Sequence, residues 1–325
     1  MKTGAAVVWF VVLLAVSVRA QTGVIAQLTA NTPMVVTRTD TTGTTAAAQP
    51  AGPLLQNGSI ALPTAQVDLE WTVPTPGDAR CRFHSEAYPY GFSTTQVFLD
   101  CTLGLVGTNV RGHLQIDMDN FGDFPAHLEV DVFDDGVVEV DSNEFQWLSW
   151  PPLLVNLHMP LVLTGSVPVR IRMQGWTLAP VGHSIEVRFL PWASGTEDLG
   201  SSCAANLVGY IGNQDSHDYF LAALPGVGAE ALRFVADGYG PLATFVVSLQ
   251  SARLPVGAIG LGLGCDDLLA VPLLDGPGLQ LESGRWALPV PPLPAGLEFF
   301  VQHVSLGNWG SSPRFGVTNV VRYQT

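Results

Sequence analysis

The chain has 325 residues, 47% of them hydrophobic and 13% charged, with a net charge of −14. Its length accommodates two domains of ordinary size, each with its own core. So acidic a surface excludes affinity for nucleic acid or anionic lipid, because phosphate backbones are bound by clustered Lys and Arg.

The first twenty residues, MKTGAAVVWFVVLLAVSVRA, carry one lysine ahead of an apolar run from Ala5 to Val16. Small or β-branched residues then stand at Val18 and Ala20. This is the pattern of a secretory signal peptide (1–20) cut after Ala20. The run is shorter than the roughly 20 residues that a bilayer span needs. No later apolar segment reaches that length without Gly, Pro or a charge. The expectation is a secreted protein (extracellular, periplasmic or cell surface) with no membrane span. Beyond the leader, twelve arginines stand against 28 acidic residues.

Residues 21–58 are poor in charge and rich in Thr, Ala, Gln and Gly. TRTDTTGTTAAAQPAGP (37–53) reads as a flexible or loosely packed stretch, with VVTRT before it as one possible strand. From 59 onward, apolar and polar residues alternate with the period of half-buried strands. SIALPTAQVDLEWTV (59–73) is followed by TTQVFLDCTLGLV (94–106), HLQIDMDN (113–120) and HLEVDVFDDGVVEVD (127–141). LLVNLHMPLVL (153–163), VPVRIRMQGWTL (167–178) and SIEVRFLPW (184–192) complete the half. Turn residues separate most runs, which points to an antiparallel sandwich over 59–196. GTEDLGSS (195–202) is a polar, Gly-rich break. Short apolar strands resume after it, so 197–325 reads as a second sandwich. With 34 Gly and 24 Pro residues, turns are many and long helices are not expected. The fold class expected is all-β: two antiparallel β-sandwich domains, jelly-roll or Ig-like.

An even number of cysteines in an exported chain suggests disulfides. Of three possible pairings, Cys81–Cys101 and Cys203–Cys265 keep each bridge inside one proposed domain. Four buried thiols are the alternative.

In HLEVDVFDDGVVEVD, Leu128, Val130, Val132, Val138 and Val140 fall on one face. Asp-Gly at 135–136 favours a two-residue hairpin. Glu129, Asp131, Glu139 and Asp141 fall on the other face, as do Asp117 and Asp119 on the preceding strand. A sheet with one solvated face explains this alternation. A calcium site is the sharper alternative, because hard cations take six to eight oxygen ligands; Asp117, Asp119, Asp123, Glu129 and Asp131 would be its ligands. A paired-carboxylate glycosidase would need two of these acids across a cleft. Trp147 and Trp150, three residues apart in FQWLSWPPLL, either pack in a core or stack on a sugar. The seven histidines are scattered. No G-x-S-x-G, H-E-x-x-H, P-loop or dinucleotide fingerprint is present, so no catalytic residue is assigned. No cofactor beyond the possible calcium is indicated.

The C-terminal stretch GCDDLLAVPLLDGPGLQLESGRWALPVPPLPAGLEFFVQHVSLGNWGSSPRFGVTNVVRYQT has a distinctive cadence. Gly-Cys precedes a short apolar strand, a Pro-rich step follows, then an L-x-F-F-x-Q strand and a closing Thr-Asn strand. Over about residues 200–325 it resembles a β-rich domain at the C-terminus of secreted proteins of planctomycetes and similar high-GC bacteria. That resemblance implies export and a β-rich fold, and carries over no catalytic residue. The function expected is a secreted, non-catalytic protein with a structural, adhesive or ligand-binding role, its partner a glycan or a cell-surface protein. An exported carbohydrate-active hydrolase or carbohydrate-binding protein using acidic and Trp residues of the first half is the alternative.

Overall fold

Successive side chains of a β-strand face opposite ways, and the run TTQVFLDCTLGLV obeys that period over its length. Val97, Leu99, Cys101, Leu103 and Leu105 are buried, while Thr94, Gln96 and Val106 are exposed. The computed structural model describes residues 23–62, 67–75, 79–87, 93–121, 127–141, 153–177, 181–199, 208–210, 220–237, 242–251, 253–255, 267–269, 274–276, 279–282, 285–309 and 312–325. Among these the chain is all-β, with no helix and with every strand pairing antiparallel.

The strands of the first half are β1 (Ile25–Ala30), β2 (Met34–Asp40), β3 (Gly43–Gln49), β4 (Gly52–Pro53), β5 (Gly58–Leu62), β6 (Val67–Thr72), β7 (Ala79–Ala87), β8 (Thr94–Val106), β9 (Val110–Phe121), β10 (His127–Val132), β11 (Val140–Asp141), β12 (Leu153–Leu163), β13 (Ser166–Thr177) and β14 (Val181–Pro191). Those of the second are β15 (Thr196–Asp198), β16 (Val208–Tyr210), β17 (Phe220–Pro225), β18 (Leu232–Asp237), β19 (Leu242–Ser248), β20 (Arg253–Pro255), β21 (Asp267–Leu269), β22 (Leu274–Gly276), β23 (Leu279–Glu282), β24 (Arg285–Val290), β25 (Glu298–Trp309), β26 (Ser312–Val317) and β27 (Val321–Gln324).

Two sheets share the first core. One runs β11-β10-β13-β8-β1-β4, with β2 also on β8 and β3 on β2; the other runs β16-β12-β9-β14-β7-β6-β5. Leu28, Leu99, Val130 and Ile171 from the first sheet meet Leu69, Phe83, Ile116 and Ile185 from the second in one buried cluster. Each such side chain contributes about 1.5–3 kcal/mol by leaving water. A second core joins β17-β18-β24-β23 to β15-β27-β25-β19-β22. There the Phe234 and Phe299 rings meet edge to face at 6.2 Å.

Three expectations need correction. Residues 21–58 are not loosely packed as a whole: β1 pairs with β8 from Ile25 to Ala30, and β2 pairs with β8 from Val35 to Thr39. Buried Leu28, Ala30, Met34 and Val36 anchor them in the core, whereas Gly43–Ala46 of β3 is exposed. The chain also does not stay in its own half after 197, since β16 returns to pair with β12.

The third correction is the Cys81–Cys101 bridge, which is not formed. Both are free, buried thiols. They face the core from opposite sheets, on β7 and β8, and the Cys101 thiol donates to Met34 Sδ at 3.7 Å. Both pack as small apolar side chains. Cys203 and Cys265 lie outside the described residues.

Candidate functional site

The acidic ribbon does not form one surface. β9 lies in the second sheet, between β12 and β14, while β10 and β11 lie at the edge of the first. With Ile116 and Met118 buried from one sheet and Leu128 and Val130 from the other, Asp117 and Glu129 point away from the shared core on opposite sheets. The calcium set therefore does not converge. Asp117 accepts from Gln115 Nε2 at 3.1 and 3.3 Å. Asp119 is placed by its backbone pairing with Leu154 and Ser184. Asp123, Trp147 and Trp150 lie outside the described residues.

Asp131, expected on the wet face, is buried. Its Oδ1 accepts the Asp135 N–H at 3.2 Å and its Oδ2 the Gly136 N–H at 3.1 Å. Glu139 Oε2 accepts the Val132 N–H at 2.6 Å. These bonds hold a wide loop instead of the two-residue hairpin. The last ladder pair is Val130 with Val140, and Phe133, Asp134 and Gly136 take positive φ. Burial pushes the Glu139 carboxyl above its ordinary range, and the neighbouring Asp131 and Asp135 charges add to that.

On the same outer face, β10 and β11 bring His127, Glu129 and Asp141 together. His127 and Glu129 are two residues apart and share a face; Glu129 stands directly opposite Asp141. His127 Nε2 lies 2.8 Å from Glu129 Oε1 and 3.1 Å from Asp141 Oδ1. Glu129 Oε2 takes Arg172 Nη1 at 2.8 Å from β13. These three side chains are a group with metal-ligand chemistry among the described residues. Of its members, sequence reasoning named Glu129 as a metal ligand and Asp141 only as part of the acidic face, and gave His127 no role. The missed signal was H-x-E within an alternating strand, completed by an acid whose register depends on the loop.

Next along that face, Asp100 is buried and meets Arg170 through two bonds, at 3.0 Å from Nε and 2.8 Å from Nη2. Asn31 Nδ2 adds a third at 2.8 Å. Burial pushes the Asp100 carboxyl up, but the guanidinium and the amide outweigh it and hold the group below its usual range. Arg170 also reaches Asp134 at 3.2 Å.

At the seam between the two halves, His113 and His158 face outward from the second sheet yet are buried, because Phe220 covers them. The His158 ring stacks on Phe220 at 4.7 Å and 4°. Burial, with His158 and Arg188 nearby, holds His113 well below the ordinary imidazole range, hence neutral. Ala193 N–H donates to Ala223 O at 2.8 Å across the seam. Beside it runs a groove of about 610 Å³, lined by Asn109, Arg111, Trp192, Ser194, Arg322 and Gln324 among others.

Fold and site together define an all-β protein with a polar seam groove and a small imidazole–carboxylate cluster. No family model matches the chain, and no curated protein matches it. Among the described residues, no helix is long and apolar enough to cross a membrane.

Proposed function

We propose that this is an exported, non-catalytic protein of two sandwich-like halves with a structural or ligand-binding role. One observation carries the reading: the buried side chains of Asp131, Asp100 and Asn319 are engaged in holding the fold. Asp131 binds loop amides, Asp100 binds Arg170 and Asn31, and buried Asn319 bonds Leu221 N–H at 2.7 Å and Asp198 at 2.9 Å. A catalytic acid or base needs a lone pair or proton free to meet substrate. The leader-like first twenty residues and the resemblance of 200–325 to domains of secreted proteins support export. The acidic balance supports a partner other than nucleic acid.

On this reading the ligand sits in the seam groove, where amide, hydroxyl, guanidinium and indole groups suit a glycan or a polar protein loop. The test has two arms. Protein recovered outside producing cells is expected to begin at Gln21 by mass analysis. Against a panel of glycan and ester substrates it is expected to show no turnover, and on a glycan array any binding is expected to weaken in Arg111→Ala. An intact leader on protein kept inside the cell overturns export. Turnover abolished by a single Asp or Ser substitution overturns the non-catalytic role.

A further inference from the structure

We propose that His127, Glu129 and Asp141 bind a divalent transition-metal ion of the zinc class at the edge of the first sheet. Three observations lead there. The first is separation. Zinc holds nitrogen and carboxylate oxygen at about 2.0–2.1 Å in tetrahedral geometry, which sets neighbouring ligand atoms about 3.3 Å apart. The 2.8 and 3.1 Å found from His127 Nε2 to Glu129 and Asp141 come within about half an ångström of that value.

The second is crowding of negative charge. Nε2 of His127 carries at most one proton, and two carboxylate oxygens converge on that nitrogen. Glu129 and Asp141 are directly opposed in the ladder, an arrangement that like charges destabilise. Around them Asp100, Asp131, Asp134 and Glu139 add four acids, against the guanidiniums of Arg170 and Arg172. A dication at the convergence point screens the repulsion between the two carboxylates and takes all three donor atoms at once.

The third is orientation. Glu129 divides its oxygens, Oε2 to Arg172 and Oε1 toward His127. A ligating carboxylate held from behind in this way keeps one oxygen aimed at the metal. The donor set is one imidazole and two carboxylates, which suits zinc; calcium prefers an all-oxygen set of six to eight. His127 is about one-third exposed, so a fourth position stays open to water or to a partner's donor atom.

The experiment is calorimetric titration of the full chain, stripped by chelator, with zinc chloride and in parallel with calcium chloride. One equivalent of zinc is expected to bind saturably, and calcium at the same concentration is not. His127→Ala and Asp141→Asn are each expected to weaken zinc binding by about ten-fold or more. Glu70→Gln, exposed on the second sheet, is expected to bind as wild type. Cobalt added to wild-type protein is expected to give the visible bands of a four-coordinate ion and to shift the His127 ring protons, a readout that requires no variant. Absence of saturable zinc binding overturns the proposal. So does binding unchanged in both variants, or cobalt that leaves His127 unshifted, since the ion would then sit elsewhere.

Discussion

Trp192 donates its indole N–H to His113 Nδ1 at 2.8 Å. The bond fixes the histidine tautomer, because an accepting Nδ1 leaves the ring proton on Nε2. It also ties the linker after β14 to the outer face of the second sheet, under the Phe220 ring that begins β17. Trp192 in turn packs against the second core. One side chain thus serves both halves.

Trp192→Phe keeps most of the ring and removes the donor. His113 Nδ1 is then left buried without its partner, at a cost of about 1–3 kcal/mol. The expected result is a lower urea midpoint, with slopes for the two halves that separate where wild type gives one transition. An unchanged midpoint would show that the bond adds nothing to the seam.

Two other buried histidines make stability depend on pH. Burial lowers His183 to about 4, with His84 contributing, and burial alone lowers His303 to about 4. Unfolding returns each to an ordinary value near 6.5. The unfolded chain therefore binds more protons between pH 6.5 and 4, and stability falls as pH drops through that window. The loss is on the order of 3 kcal/mol per group when complete. Melting temperatures measured from pH 7.5 to 4 are expected to fall steadily below 6.5. In His303→Phe the fall is expected to be shallower.

Asp131 is expected to act as a loop clamp. Asp131→Ala releases the Asp135 and Gly136 amides and is expected to cost about 1–2 kcal/mol. Hydrogen exchange at those two amides is expected to rise while the β8–β13 ladder stays protected. Loss of protection across both strands would show that Asp131 holds more than its loop.

The thiols of Cys81 and Cys101 are expected to resist an alkylating reagent in native protein and to react fully after denaturation. Burial raises both, Cys101 to about 12 with the Asp100 charge adding, so little thiolate is present at neutral pH. Cysteines at 81 and 101 that react only after reduction would show a bridge between them instead.

Strand identity was legible because the alternation is so regular. Of the faces assigned in 127–141, Leu128, Val130, Val132 and Val140 lie inside as expected, while Asp131 is buried and Val138 only half-buried. The turn was misread from a real signal. An Asp-Gly two-residue hairpin would pair Val130 with Asp141, a slip of one residue that sends a carboxylate to the core face. Burial of Val140 outweighs turn preference, so the ladder pairs Val130 with Val140 and the surplus chain forms the clamped loop. The neighbours of β9 were not legible for another reason. Strands adjacent in sequence were taken as adjacent in the sheet, but the chain changes sheets between β9 and β10. That choice depends on which distant strands, β12 and β14, offer apolar faces. The cluster at His127 was hidden by the same two errors, since Asp141 reaches Glu129 only in the observed register.

The acids divide between two faces, and cross-strand nuclear Overhauser contacts in deuterated protein test that division most directly. Glu129 is predicted to contact Arg172 and Asp141, and Asp117 to contact Asn156 and Glu186. Contacts between the backbone of Asp117 and that of Glu129, as in a simple three-stranded meander, would contradict it.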